Sequence, residues 1–186
     1  MKKFFLLIIT AVLMVISSCK PSPEKAENYY NEIFKQLELV VDKEATMINF
    51  INIEMQKSDT TLQKKDTASV KLEIDASFQD FKAQIDKSLY EVEKLPDFNG
   101  KTDFRDAAVN LLKEYKSVPS AEYVDAIKIV KIPMSLYTEE DDNMFLKLTE
   151  TIDDKLQKKI DKYVKILKTF ASEYKFEIVT DSIKGN

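Results

Sequence analysis

FLKLTETIDDKLQKKIDKYVKILKTFASEY, residues 145–174, decides the fold. Phe145, Leu148, Ile152, Leu156, Ile160, Tyr163, Leu167, Phe170 and Tyr174 follow one another at steps of three or four. That spacing lines apolar side chains along one face of an α-helix, whereas a half-buried strand would alternate them in twos. A start signal precedes the stripe. Thr138-Glu139-Glu140-Asp141 reads as a hydroxyl N-cap followed by acids in the first turn, where they face the positive end of the helix dipole. Phe176-Glu177-Ile178-Val179 reads as a short extended tail lying on the end of the fold.

The same period recurs upstream. Ser22 and Pro23 suit an N-cap and first helical position. A first helix is predicted from about Pro23 to Lys57, with Tyr30, Ile33, Phe34, Leu37, Val40, Val41, Met47, Ile48, Ile51 and Met55 in step. At 1.5 Å per residue it spans about 50 Å. After the polar break Ser58-Asp59-Thr60-Thr61, a second helix is predicted from Asp66 to Leu95 through Ile74, Phe78, Phe81, Ile85, Leu89 and Val92. Pro96-Asp97-Phe98-Asn99-Gly100 is the clearest turn, combining Pro with Asn-Gly. Thr102 or Asp103 then caps a third helix carrying Phe104, Ala108, Leu111, Tyr115 and Val118. Pro119 interrupts it, and Ser120 restarts a segment through Tyr123, Val124, Ile127 and Val130, giving one kinked helix or two short collinear ones. Four stripes with short connections predict an all-α protein, an antiparallel four-helix bundle. The fold domain is expected over residues 24–180, with no internal boundary or repeat.

Composition narrows the chemistry. The chain has 186 residues, no histidine, one cysteine and two glycines, Gly100 and Gly185. Without His there is no Ser-His or Cys-His nucleophile pair and no His-based metal site. Glycines so far apart form no phosphate-binding loop. The net charge of -4 is spread through mixed signs, with no basic face for nucleic acid.

Glu139, Glu140, Asp141 and Asp142, with Asp153 and Asp154 on the same helix, form the densest acidic group. It lacks the spacing and glycine of an EF-hand loop, and reads as capping and a solvated face. Lys155, Lys158, Lys159 and Lys162 alternate with acids as a salt-bridged outer face. Arg105, the only arginine, is expected to pair with Asp106, Asp103 or a nearby helix end. Phe78, Phe81, Phe145 and Phe170 run in phase with Leu and Ile and read as core. Tyr29, Tyr90, Tyr123 and Tyr137 are expected to be partly exposed and suited to a protein partner. The acids fall on polar phases. These readings predict a protein that is not an enzyme, with no catalytic residues, no cofactor and no metal site.

The N-terminus carries a different signal. Met1-Lys2-Lys3 is basic, Phe4 to Ile16 is mostly apolar, and Ile16-Ser17-Ser18-Cys19 closes the run. The apolar stretch is too short for a membrane span and matches a secretory leader. Its end resembles the lipobox of bacterial lipoprotein precursors. The resemblance implies a signal peptide over 1–18, cleavage after Ser18, and Cys19 carrying a diacylglycerol thioether with further acylation of its amino group. Two or three acyl chains anchor a protein stably where one does not. Residues 19–23 then form a lipidated tether. Loss of Lys2 and Lys3 leaves the mature chain at about -6, so the lipid rather than charge holds it to the bilayer.

With Tyr29-Tyr30-Asn31 opening the first helix and Phe170-Ala171-Ser172-Glu173-Tyr174-Lys175-Phe176 closing the last, the chain is similar to small bacterial surface lipoproteins of uncharacterised function. The resemblance implies a helical bundle at the cell envelope and no catalytic residues. Lys20, rather than Asp, after Cys19 favours the outer membrane. The expected role is a non-catalytic interaction or structural module, with the membrane as one partner through Cys19 and a protein as the other. The alternative is a binder of a small apolar ligand inside the bundle.

Overall fold

The computed structural model describes residues 20–56 and 67–178. They form five α-helices: α1 Pro23–Gln56, α2 Thr67–Glu93, α3 Asp103–Ser117, α4 Glu122–Val130 and α5 Glu139–Tyr174. A single 3-10 turn, Val118–Ser120, separates α3 from α4. No strand is present among the described residues. The protein is all-helical. Of the predicted tail, residues 176–178 have no regular secondary structure, with Phe176 and Ile178 partly packed on the core, while Val179 lies outside the described residues.

Helix boundaries follow local chemistry. Ser22 accepts from the Lys25 backbone N–H, and Pro23 occupies the first turn of α1. Thr138 and Asp141 form a reciprocal capping box at α5, with Asp141 in place of the commoner Glu or Gln. Two expected caps differ. Thr102 sits at the N-cap of α3 without a side-chain hydrogen bond. Ser120 belongs to the 3-10 turn, where its hydroxyl donates to the Lys116 carbonyl, and Ala121 precedes α4. Pro119 has no N–H to offer the helix ladder, so the third helix is two pieces.

The core is one cluster running along α1 to α4 and along α5 from Ile152 onward. α1 packs along α2, α2 reaches α3, and α3 and α4 both lie on α5. Ser88 is fully buried; it donates to the Gln36 carbonyl at 3.0 Å and accepts from Gln84 Nε2 at 2.9 Å. α1 and α5 are antiparallel, with Tyr30 near Phe176 at one end and Glu44 near Asp153 further along. The start of α1, the 96–100 turn and the end of α5 therefore share one end of the molecule. The α4–α5 connection lies at the other, where Lys131 pairs with Asp75 and its carbonyl accepts from Lys71 at 2.9 Å.

Candidate functional site

Two places bring chemistry-bearing side chains together. The first is the end where α1 begins. Asn99 (φ 54°) and Gly100 (φ 72°) both take left-handed backbone, and Phe98 and Lys101 exchange two hydrogen bonds of 3.0 Å across them. This is a two-residue turn with type I′ signs, the geometry that Asn-Gly favours. It aims Phe98 inward, against Tyr29 and Tyr174 (both 5.0 Å between centroids) and Phe170 (5.3 Å). Phe104 stacks on Phe170 at 4.6 Å and on Tyr163 at 5.7 Å.

Polar groups lock the same turn. Tyr29 donates to the Pro96 carbonyl at 3.0 Å, and Asn99 to the Tyr174 hydroxyl at 3.3 Å. Arg105 holds the Leu95 carbonyl, just past α2, at 2.8 Å. It also pairs with Asp97 at 2.9 Å and Asp106 at 3.3 Å. Asp106 and the helix end are the expected partners; Asp97 replaces Asp103. Burial pushes the Tyr29 hydroxyl up to about 12, with Arg105 opposing. A cavity of about 60 Å³ lies against Phe98, Phe104 and Phe170, under a rim that includes Lys101 and Glu173. Ligand pockets commonly measure about 300–1,000 Å³, so this space gives the apolar-ligand reading no support.

The second place lies midway along the helices. Val40, Met47 and Ile51 are buried along α1, and Glu44, partly buried, falls on the same steps. The Tyr123 hydroxyl of α4 donates to its Oε1 at 2.6 Å. The Phe81 ring of α2 meets Tyr123 and Tyr115 edge-on, at 5.8 and 6.4 Å. Burial pushes the Glu44 carboxyl up to about 7; the Tyr123 hydrogen bond opposes the shift and Asp153 of α5 adds to it. Burial, with Glu44 close by, also raises the Tyr115 and Tyr123 hydroxyls. Nearby, Lys155 binds Glu122 and holds its carboxyl below the usual range, and Lys159 meets Glu114 at 3.4 Å.

Several expectations change here. Tyr29 and Tyr123 are buried, because the turn closes over one and α4 packs the other onto α1. Tyr90 is exposed and Tyr137 partly so. Glu44 and Glu54 do not follow polar phases; Glu54 is buried, with Lys71 at 4.0 Å. Lys155 and Lys159 tie α5 to α4 and α3 rather than pairing along their own helix. Glu139, Glu140 and Asp142 are exposed, and Asp141 serves the cap. Asp153 and Asp154 lie more than two turns away on the same helix. No group of three or more acids or cysteines among the described residues is placed to hold a metal. Phe145 is only partly buried. Cys19 lies outside the described residues, directly before Lys20. No described helix is long and apolar enough to cross a membrane.

Comparison of the chain with protein-family models, curated proteins and solved structures returns no match.

Proposed function

We propose that the protein is a lipid-anchored, non-catalytic interaction module of a bacterial cell envelope. In this reading residues 1–18 are a cleaved signal, Cys19 carries the acyl chains, and the outer membrane is the site of attachment. The helices form an antiparallel four-helix bundle, with α3 and α4 sharing the third position. The observation that carries the reading is polarity. α1 begins at Pro23, four residues after Cys19, at the end closed by the aromatic turn. An anchor there sets the α4–α5 connection at the far end of a helix about 50 Å long. Met134, Leu136, Met144 and Leu146 are exposed on and beside that connection, the kind of side chains a protein partner buries.

The test is Cys19→Ala in the native cell. Loss of labelling by a fatty-acid analogue, with release from the membrane fraction or retention of an uncleaved leader, is expected. Unchanged labelling and fractionation sink the anchor.

A further inference from the structure

The charges of α5 are sorted by end. Residues 139–154 carry seven acids and one lysine, Lys147, whereas residues 155–175 carry seven lysines and two acids, Asp161 and Glu173. Because α5 runs antiparallel to α1, the basic part lies at the end where α1 begins and the acidic part at the other.

Ion pairing divides the seven lysines. Lys155 binds Glu122 and Lys159 meets Glu114, both toward the helices that α5 packs on. Lys158, Lys162, Lys165, Lys168 and Lys175 are exposed, and no ion pair among the described residues reaches them. Their steps of four, three, three and seven set them along the outer face of α5, away from the buried Leu156, Tyr163, Leu167 and Phe170. The two acids are engaged: Asp161 accepts from Gln157 at 2.7 Å, and Glu173 pairs with Lys101 at 2.6 Å. The expected salt-bridged outer face is therefore an unneutralised stripe about 25 Å long. Like charges three and four residues apart destabilise a helix. The helix dipole favours cations only in the last turn, which accounts for Lys175 but not for Lys158, Lys162 or Lys165.

We propose, on the reading that Cys19 is lipid-anchored, that this stripe seats the domain on anionic phospholipid headgroups. The four residues from Cys19 to Pro23 reach about 14 Å when extended. A helix with its side chains is about 10–12 Å wide, so the acyl chains and the stripe can meet one surface. The field of that surface fades within about 8 Å at physiological salt. The nearest charges therefore decide the attraction, not the acidic balance of the whole chain. The same surface repels Glu150, Asp153 and Asp154, which are exposed further along α5. The acidic half is held off the bilayer, and with it the α4–α5 connection. The lipid fixes the place of attachment; the lysines fix which side faces down.

The buried cluster runs from Ala26 to Tyr174, so a chain of residues 20–186 keeps the whole core while lacking leader and lipid. Flotation of that chain with vesicles isolates charge from anchor. It should bind vesicles of equal phosphatidylglycerol and phosphatidylcholine in about 0.1 M salt, and be released by about 0.5 M salt. Pure phosphatidylcholine should not retain it. Lys162→Gln with Lys165→Gln should weaken binding about 25-fold, about fivefold for each lysine. Lys128→Gln with Lys147→Gln removes the same charge at the other end and should change affinity less than about twofold. Equal affinity for the two kinds of vesicle overturns the stripe, as does an equal loss from the two pairs of substitutions. Binding to a single-stranded RNA in preference to the anionic vesicles overturns the lipid assignment. None of these outcomes touches the anchor, which stands or falls with Cys19→Ala.

Discussion

The end of the molecule near Pro23 and the layer around Glu44 lie about 30 Å apart along α1, yet they are built on opposite principles. At the end, Tyr29, Phe98, Phe104 and Phe170 press ring against ring, and Tyr29 and Arg105 each meet a backbone carbonyl, while the buried Tyr163 hydroxyl has no partner among the described residues. In the middle, the same helical period delivers a partly buried carboxyl to the layer between α1 and α4, with one hydrogen bond and another acid nearby. One region gains stability from area and fixed geometry, insensitive to pH. The other holds a group whose cost changes with pH.

The sharpest way to break the comparison is Phe104→Ala. Truncating a buried ring costs about 3–5 kcal/mol, and urea unfolding should report that loss equally at pH 5 and pH 8. Glu44→Gln should do the reverse. The folded-state carboxyl titrates at about 7, above its usual value of 4.5. Below the usual value it is neutral in both states and costs nothing. Between the two, the folded state keeps a proton that the unfolded state has lost, so stability falls as pH rises. The penalty is complete above about pH 7. The variant should be more stable than wild type by about 2–3 kcal/mol at pH 8 and nearly equal to it at pH 4.5. A difference independent of pH would erase the contrast between the two regions.

Two smaller changes sharpen the description of the packed end. Gly100→Ala places a side chain at φ 72°, and thermal melting should show a loss of about 1–2 kcal/mol, from backbone conformation alone because a Cβ there meets nothing within 4 Å. Lys175 closes α5 at φ 59°, and the Phe176 N–H reaches back to the Ala171 carbonyl while its ring meets Phe170. This Schellman arrangement favours glycine at the position Lys175 fills. Lys175→Gly should raise stability by about 0.5–1 kcal/mol in the same assay.

Much of the fold was legible because helical period and turn chemistry act locally. The stripe over 145–174, the Asn99-Gly100 turn and the break at Pro119 each follow from a few neighbouring residues. The candidate site was less legible. A list of apolar positions passes from Val41 to Met47 and skips Glu44, although steps of four and three from Val40 land on it. That signal is readable, but charge argues against it until Tyr123 is known to be opposite. Tyr29 and Tyr123 were misjudged for a related reason: one helix's period cannot tell which flank a turn or a second helix will cover. Arg105 gained Asp97 because the turn folds back on itself, a contact between elements rather than within one.

α5 carries a further consequence. It has 36 residues, but its first buried side chain is Ile152. The preceding three turns and more rest on the Thr138–Asp141 box and on partial packing by Phe145 and Leu148. Their opening free energy is therefore local and small, separate from that of the global fold. A protease working under native conditions should nick the chain there first and leave the aromatic end intact, so the molecule has a built-in order of disassembly.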